Sequence, residues 1–302
     1  MDHLQAMRTF VRVAELGSFS AAAQQLGVAR SVVTRQVAAL ERQLGAKLMV
    51  RSTRRLALTA AGTTYLEKCR VIVNLVEAAE TDVAEDRAVA RGKIRIGLPL
   101  SYGLKRLAPL LLEFAGDNPE VQLEMDFTDR RVDLVEEGFD LSIRITGRLA
   151  PSDVVRRLGT CNIMAVASPG YLARHGRPSH PSELAGHECL TYRGDPNPNA
   201  WAFTVKGRVE GFFVQGRVAA NNGDVLVEAA ARGFGIALQP DFIVLPYLAD
   251  GRLEHVLPKF APPGLGIYAV LSGTRHLPYR VRVLIDFLAG RLRSAGSDAI
   301  KP

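Results

Sequence analysis

The stretch VARSVVTRQV, Val28–Val37, decides how this chain is to be read. Continued to Leu44 as a helix of about 3.6 residues per turn, it puts Val33, Val37, Leu40 and Leu44 on one apolar stripe. Ser31, Thr34, Arg35, Ala38 and Arg42 fall on the other side. That side is too small and too cationic for a second packing surface, whereas hydroxyl and guanidinium groups suit base edges and phosphates. Taken alone, the same face also fits an ordinary solvated surface helix.

The preceding residues separate the two readings. Leu4, Met7, Val11 and Ala14 repeat at helical spacing, and Gly17 stops that helix. Ser18 or Ser20 then caps a short helix through AAAQQL, which Gly27 ends. Two helices and a glycine turn lead into a longer helix whose first turn is Arg30 to Thr34, the order of a helix-turn-helix. After Gly45, AKLMVRSTRRLALT sets Arg51, Arg54 and Arg55 between two apolar runs and predicts a hairpin wing facing phosphates.

Charge is divided in the same way. Residues 1–60 hold nine Arg or Lys against three acids, a net of +6, which leaves +1 of the chain's +7 for all the rest. A basic balance confined to one small module predicts a polyanion partner for that module. The 302 residues suffice for two or three domains with real cores.

Other classes find no support. No stretch reaches the roughly 18 uncharged apolar residues of a membrane span, and MDHLQAMRTF lacks the order of a signal peptide, so a cytoplasmic protein without membrane contact is expected. Cys69, Cys161 and Cys189 have no Cys-x-x-Cys spacing, and the HECL at His187 lacks a second histidine, so structural thiols and no metal are expected. GFGIAL at Gly233 lacks the third glycine of a dinucleotide site. With neither Gly-x-Ser-x-Gly nor Gly-x-x-x-x-Gly-Lys, no catalytic residue, no cofactor and no enzyme are expected.

From Leu58 to Ala90 there is no proline and one glycine, Gly62, which predicts a long helix. Tyr65, Cys69, Ile72, Val76, Ala79 and Val83 step by four and three, as a coiled-coil seam does. Pairing with the same helix of a second subunit is the expectation, with packing on the chain's own domain as the alternative. Glu80, Asp82, Glu85 and Asp86 are expected to be solvated, and RAVARGK to be a hinge.

Beyond Lys93 strands and helices alternate: KIRIGLP, a helix from Leu104 to Phe114, VQLEMDF, a short helix from Val132 to Glu137, then FDLSIRI. A second run has CNIMAVAS, the polar loop YRGDPNPN, FFVQGRVAA, a helix from Asp224 to Arg232 and GIAL. GIYAVLS and a helix from Tyr279 to Leu292 close the chain. This predicts two α/β lobes on mostly parallel sheets, with a ligand cleft between them at the carboxyl ends of strands.

The N-terminal motif LGSFSAAAQQLGVARSVVTRQVAALERQLGAKLMVRSTRRLALTAAG closely resembles the LysR-type transcriptional regulators, and the resemblance continues through the first lobe. It implies an α/β chain with an all-α winged helix-turn-helix (1–58), a linker and dimerisation helix (59–90) and a two-lobed effector domain like periplasmic binding proteins (91–302). Lobe I then covers about 91–160 and 266–302, and lobe II about 161–265. It further implies double-stranded promoter DNA with an interrupted palindrome as partner, a dimer or tetramer, an encounter with RNA polymerase, and a small organic effector that alters DNA bending. A DNA-binding protein acting through oligomerisation alone is the alternative.

The resemblance assigns DNA contacts to Ser20, Arg30, Ser31, Thr34, Arg35, Gln36, Arg51, Arg54 and Arg55. It assigns effector contacts to Ser101, Tyr102, Thr128, Arg144 and Thr146, with Asn222 and Gln239 from the other lobe. Arg30 departs from the glutamine or lysine usual in the family, and guanine or phosphate suits it better than adenine. Ser101 before a helix N-terminus, with Arg144, points to an organic acid as effector.

Overall fold

The computed structural model describes residues 2–51, 56–83, 89–134, 136–150, 153–193, 197–271 and 277–298. The chain forms two compact units, residues 1–89 with 274–282 and residues 90–273 with 283–302.

In the first unit, helix α1 (His3–Leu16) starts on Asp2, whose carboxylate accepts the Gln5 amide at 3.1 Å, and stops at Gly17 with φ 58°. That left-handed backbone favours glycine. Helix α2 (Phe19–Gln25) starts on Ser18, whose Oγ accepts the Ala21 amide, so Ser18 rather than Ser20 is the cap. Helix α3 (Arg30–Leu44) ends at left-handed Gly45. Phe10, Val13, Ala22, Val33, Val37 and Leu40 are buried in one cluster. Leu44 is 39 % exposed and leaves the stripe, because the last turn of α3 runs past that cluster.

Strands β1 (Met49–Arg51) and β2 (Leu56–Leu58) pair antiparallel with Met49 opposite Leu58, which is the wing hairpin. Arg54 and Arg55 lie outside the described residues, as does the Arg51 side chain. Helix α4 (Ala60–Val83) is continuous. Its first turns correct the expected seam. Cys69 is fully buried and Tyr65 packs in the helix-turn-helix core, with its ring 5.9 Å from Phe10, so these two serve the chain's own fold. Ile72 is exposed and Val76 partly so. The Ala79 and Val83 side chains, with those of Glu80, Asp82, Glu85 and Asp86, lie outside the described residues, and so does the Arg87–Ala88 start of the expected hinge.

The second unit runs as strand β3 (Gly92–Leu98), then a helical run of α5 (Leu100–Tyr102), a π-helical turn (Gly103–Leu107) and α6 (Ala108–Asp117). Strands β4 (Val121–Phe127), β5 (Leu141–Thr146), β6 (Val154–Cys161) and β7 (Ile163–Ala167) follow. Helix α7 (Pro169–His175), a 3-10 helix (Pro181–Gly186) and β8 (Cys189–Tyr192) lead to the hairpin β9 (Ala200–Val205) and β10 (Arg208–Phe213). Then come β11 (Ala219–Ala220), α8 (Gly223–Ala231), β12 (Ile236–Pro240), α9 (Asp241–Ala249), β13 (Glu254–Val256), β14 (Leu265–Leu271) and α10 (Tyr279–Asp298), which belongs to this unit from Val283 on.

One sheet has the order β4-β3-β5-β14-β6 and the other β11-β8-β12-β7-β13. Neither is mostly parallel. β14 runs antiparallel to β5 and β6, and β7 antiparallel to β12 and β13, because the chain crosses between the sheets there and returns against its own direction. The stretch from Val132 to Glu137 is turns rather than a helix among the described residues. Val132 and Leu134 bury themselves with Phe139 and Val270, and that packing holds the backbone in turns.

A buried acid joins α3 to the wing. Glu41 accepts the Leu48 and Met49 amides on Oε1, at 3.0 and 3.2 Å, and the Lys47 ammonium on Oε2 at 2.6 Å. Burial pushes its pKa up, but the Lys47 and amide hydrogen bonds outweigh that and leave it below the ordinary 4.5. A folded value below the unfolded one stabilises the fold above about pH 4.5 and is lost as the pH falls through the folded value. Glu41→Gln is therefore expected to cost about 1–3 kcal/mol at neutral pH, since it weakens a buried network. Thermal denaturation across the acid range should show the gap between wild type and variant closing as the pH drops.

Candidate nucleic-acid interface and interlobe cleft

The outer side of α3 carries the expected polar groups. Arg30, Ser31 and Arg35 are exposed and Thr34 is half-buried, opposite the buried Val33, Val37 and Leu40. Ala29 gives α3 no side-chain cap. The first amides of this 15-residue helix therefore meet no capping side chain, at the positive end of the helix dipole. Ser20 is exposed on α2.

Gln36 has a structural bond that its position in the motif did not suggest. Its Oε1 accepts the hydroxyl of Thr9, a fully buried residue of α1, at 2.7 Å. This leaves the Gln36 amide nitrogen as its remaining donor group. Thr9→Val keeps the shape of the core and removes that bond. It is expected to destabilise the fold by about 1 kcal/mol, measurable by chemical denaturation.

In the second unit the carboxyl ends of strands from the two sheets meet around Ser101. Ser101 is buried, and its hydroxyl donates to Asp224 of α8, while Asn222 Nδ2 donates to Ser101 Oγ at 3.4 Å. Lys105 also binds Asp224. Helix α5 begins at Leu100, so Ser101 lies inside the first turn and not before it. The Leu100 amide is already taken by Asp129 Oδ1 at 2.9 Å, which removes the open amide expected there for an anion. Burial raises the Asp129 pKa, the Leu100 amide opposes this, and the Asp224 charge adds to it. Burial, followed by the Asp129 charge, pushes the phenol of Tyr192, at the end of β8, up to about 12.

The other expected effector residues have different company. Buried Gln239 lies against the start of α8, where a Cβ on Gly223 would come 2.5 Å from its Oε1. Tyr102 is buried with its ring edge-on to Phe242 at 4.9 Å. The Thr128 hydroxyl accepts the Arg130 amide, and that of Thr146 donates to the Arg148 carbonyl at 2.8 Å. Arg144 donates to the Val132 carbonyl at 2.8 Å. Asp129, Lys105, Tyr192 and Asp224 carry no motif. Asp224 entered the sequence reading only as the first residue of an expected helix.

Among the described residues no group of three or more His, Cys, Asp or Glu could hold a metal ion, and no helix is long and apolar enough to cross a membrane. The three cysteines are buried and free, and burial pushes the Cys161 and Cys189 thiols up to about 12.

Residues 4–63 match the family described as bacterial regulatory helix-turn-helix protein, lysR family, and residues 87–293 match the LysR substrate binding domain. The chain belongs to the LysR family of transcriptional regulators. A relative in Xanthomonas campestris pv. campestris, named an HTH-type transcriptional regulator, is 38 % identical over 94 % of this chain and 83 % of its own length. The solved structure of CrgA, a LysR-type regulator from Neisseria meningitidis, is 31 % identical and aligns with a TM-score of 0.60 over 95 % of this chain and 98 % of its own. The full-length Vibrio cholerae virulence activator AphB is 28 % identical, with a TM-score of 0.59 over 95 % and 98 %. The LysR-family chain described here is thus a DNA-binding transcriptional regulator with an effector-binding domain.

Proposed function

We propose that this regulator reads its operator with Arg30, Ser31, Thr34 and Arg35, grips phosphates through the wing arginines Arg51, Arg54 and Arg55, and takes a small organic acid between its lobes. The observation that carries the DNA reading is the two-sidedness of α3: buried valines and leucine on one side, exposed guanidinium and hydroxyl groups on the other. Arg30 favours a guanine in the half-site, because its fork pairs with the O6 and N7 acceptors of that base.

One recognition helix reads few base pairs, so a two-fold assembly doubles the site. Ile72 and Val76 on α4 supply apolar side chains for that pairing. Dimers or tetramers standing at a promoter in the cytoplasm also bring RNA polymerase within reach. The acid effector is supported by Ser101 and Lys105, a hydroxyl and an ammonium side by side at the interlobe cleft.

Base reading and phosphate binding should separate by mutation. Arg35→Ala is expected to cost about 1–3 kcal/mol at the operator and to reduce discrimination against random DNA. Arg54→Ala should weaken all sequences alike and lower the salt slope by about one unit. A titration of labelled operator and random duplex at several salt concentrations reads both. Unaltered discrimination in Arg35→Ala would remove α3 from base reading. Val76→Glu tests the pairing, with loss of dimer in sedimentation and a parallel loss of operator affinity as the expected result.

A further inference from the structure

Ser101 and Lys105 lie about one turn apart on the helical run after β3, and both reach to α8 of the other lobe. The Ser101 hydroxyl donates to Asp224 Oδ2 and the Lys105 ammonium to Oδ1. Both oxygens of one lobe's carboxylate are thus held by the other lobe. Asn222 completes the set, since its Oδ1 caps α8 through the Val225 amide while its Nδ2 reaches Ser101 Oγ. The single hydroxyl hydrogen of Ser101 is therefore committed to Asp224. The turn that carries Asp224 is pinned in place, because Gly223 lies so close to Gln239 and Ile243 that a Cβ would come within 2.5 and 2.7 Å of them.

The atoms offered to an anionic effector, Ser101 Oγ and Lys105 Nζ, are the atoms that hold Asp224. Ser101 has one hydroxyl hydrogen to give, and a second carboxylate set beside Asp224 is repelled by its charge, so an acid competes with Asp224 for this position even though the Lys105 ammonium carries three N–H donors. The existing contact is not strong enough to be permanent: the Lys105 and Asp224 side chains are 39 % and 38 % exposed, and ion pairs open to water contribute little. We propose that Asp224 is an internal occupant of the effector's anion position, bridging the two lobes until a small carboxylic acid displaces it from Ser101 and Lys105. This rests on the reading of the interlobe cleft as the effector site. Displacement makes the ligand's binding depend on lobe arrangement, which a switch requires, because a ligand indifferent to two arrangements shifts neither. It also lowers the apparent affinity by the fraction of chains in which the bridge is open.

The test uses the full chain with spin labels at Asp117→Cys on lobe I and Glu210→Cys on lobe II, diluted with unlabelled chain so that only distances within one chain are read. The three native cysteines are buried. Asp224→Ala and the pair Ser101→Ala/Lys105→Ala should widen the interlobe distance distribution to about the same extent, and the triple variant little further, because each removes both contacts to the Asp224 carboxylate. The two lobe I substitutions leave α8 intact, so agreement between them and Asp224→Ala separates the bridge from damage to that helix.

Calorimetric titration with acetate, benzoate and succinate, and with the matching amides, then reads the ligand class. At least one acid should bind, about tenfold tighter to Asp224→Ala than to wild type, and its amide to neither. An unchanged distance in Asp224→Ala, or equal acid affinity in wild type and variant, would overturn the proposal. Binding of an amide with a response in operator affinity would overturn displacement by a carboxylate and leave the effector reading standing. If no compound of either class bound while Asp224→Ala still widened the distance, the effector reading would fail, and displacement with it.

Discussion

The burial of Val33, Val37 and Leu40 against α1 and α2 is the interaction on which the DNA-binding unit depends. Each such side chain contributes about 1.5–3 kcal/mol when taken from water, and together they set the rotation of α3 about its axis. Once that rotation is set, Arg30, Ser31 and Arg35 have no place to go but outward. Two polar anchors refine the setting. The Thr9 hydroxyl ties Gln36 to α1, and the Glu41 carboxylate ties the last turns of α3 to the first residues of the wing. Rotation and wing position are therefore fixed by the same helix that offers the polar face.

The regulatory unit solves a different problem. A switch needs two lobes held together weakly enough for a small molecule to alter their relation. Its sheets supply rigid lobes, with β3, β4 and β5 parallel in one and β8, β11 and β12 parallel in the other. The antiparallel strands β14 and β7 lie where the chain passes between them. Across the meeting edge run a few polar contacts, Ser101 and Lys105 to Asp224 and Asn222 to Ser101, together with the Tyr102–Phe242 ring contact. Such contacts cost little to exchange for others of the same kind.

Much of this could be read in the residues because local and tertiary demands agree there. Gly17, Gly27 and Gly45 all take positive φ at the ends of helical segments, and the spacing of Val33, Val37 and Leu40 is that of the side they bury. The reading failed where distant packing prevailed. Tyr65 and Cys69 keep heptad spacing, yet they face the chain's own core, since periodicity records that a face is buried and not against what. Glu41 entered the sequence reading only as one of three acids in a charge balance, because nothing local shows that two amides seven and eight residues later will turn toward it. The meeting of Ser101 with Asn222 of the other lobe was legible in the sequence. The acidic residues there were not, since Asp129 and Asp224 meet Ser101 and Leu100 only through the fold.

The central claim is that a two-fold assembly of this chain reads DNA through α3. Selection of bound duplexes from a random library by the full-length protein, at about 0.15 M salt where non-specific attraction is screened, tests it most directly. The account predicts enrichment of an interrupted inverted repeat whose half-sites contain a guanine and stand whole helical turns apart. Recovery of unenriched sequence, or of a single half-site without its inverted copy, would contradict it.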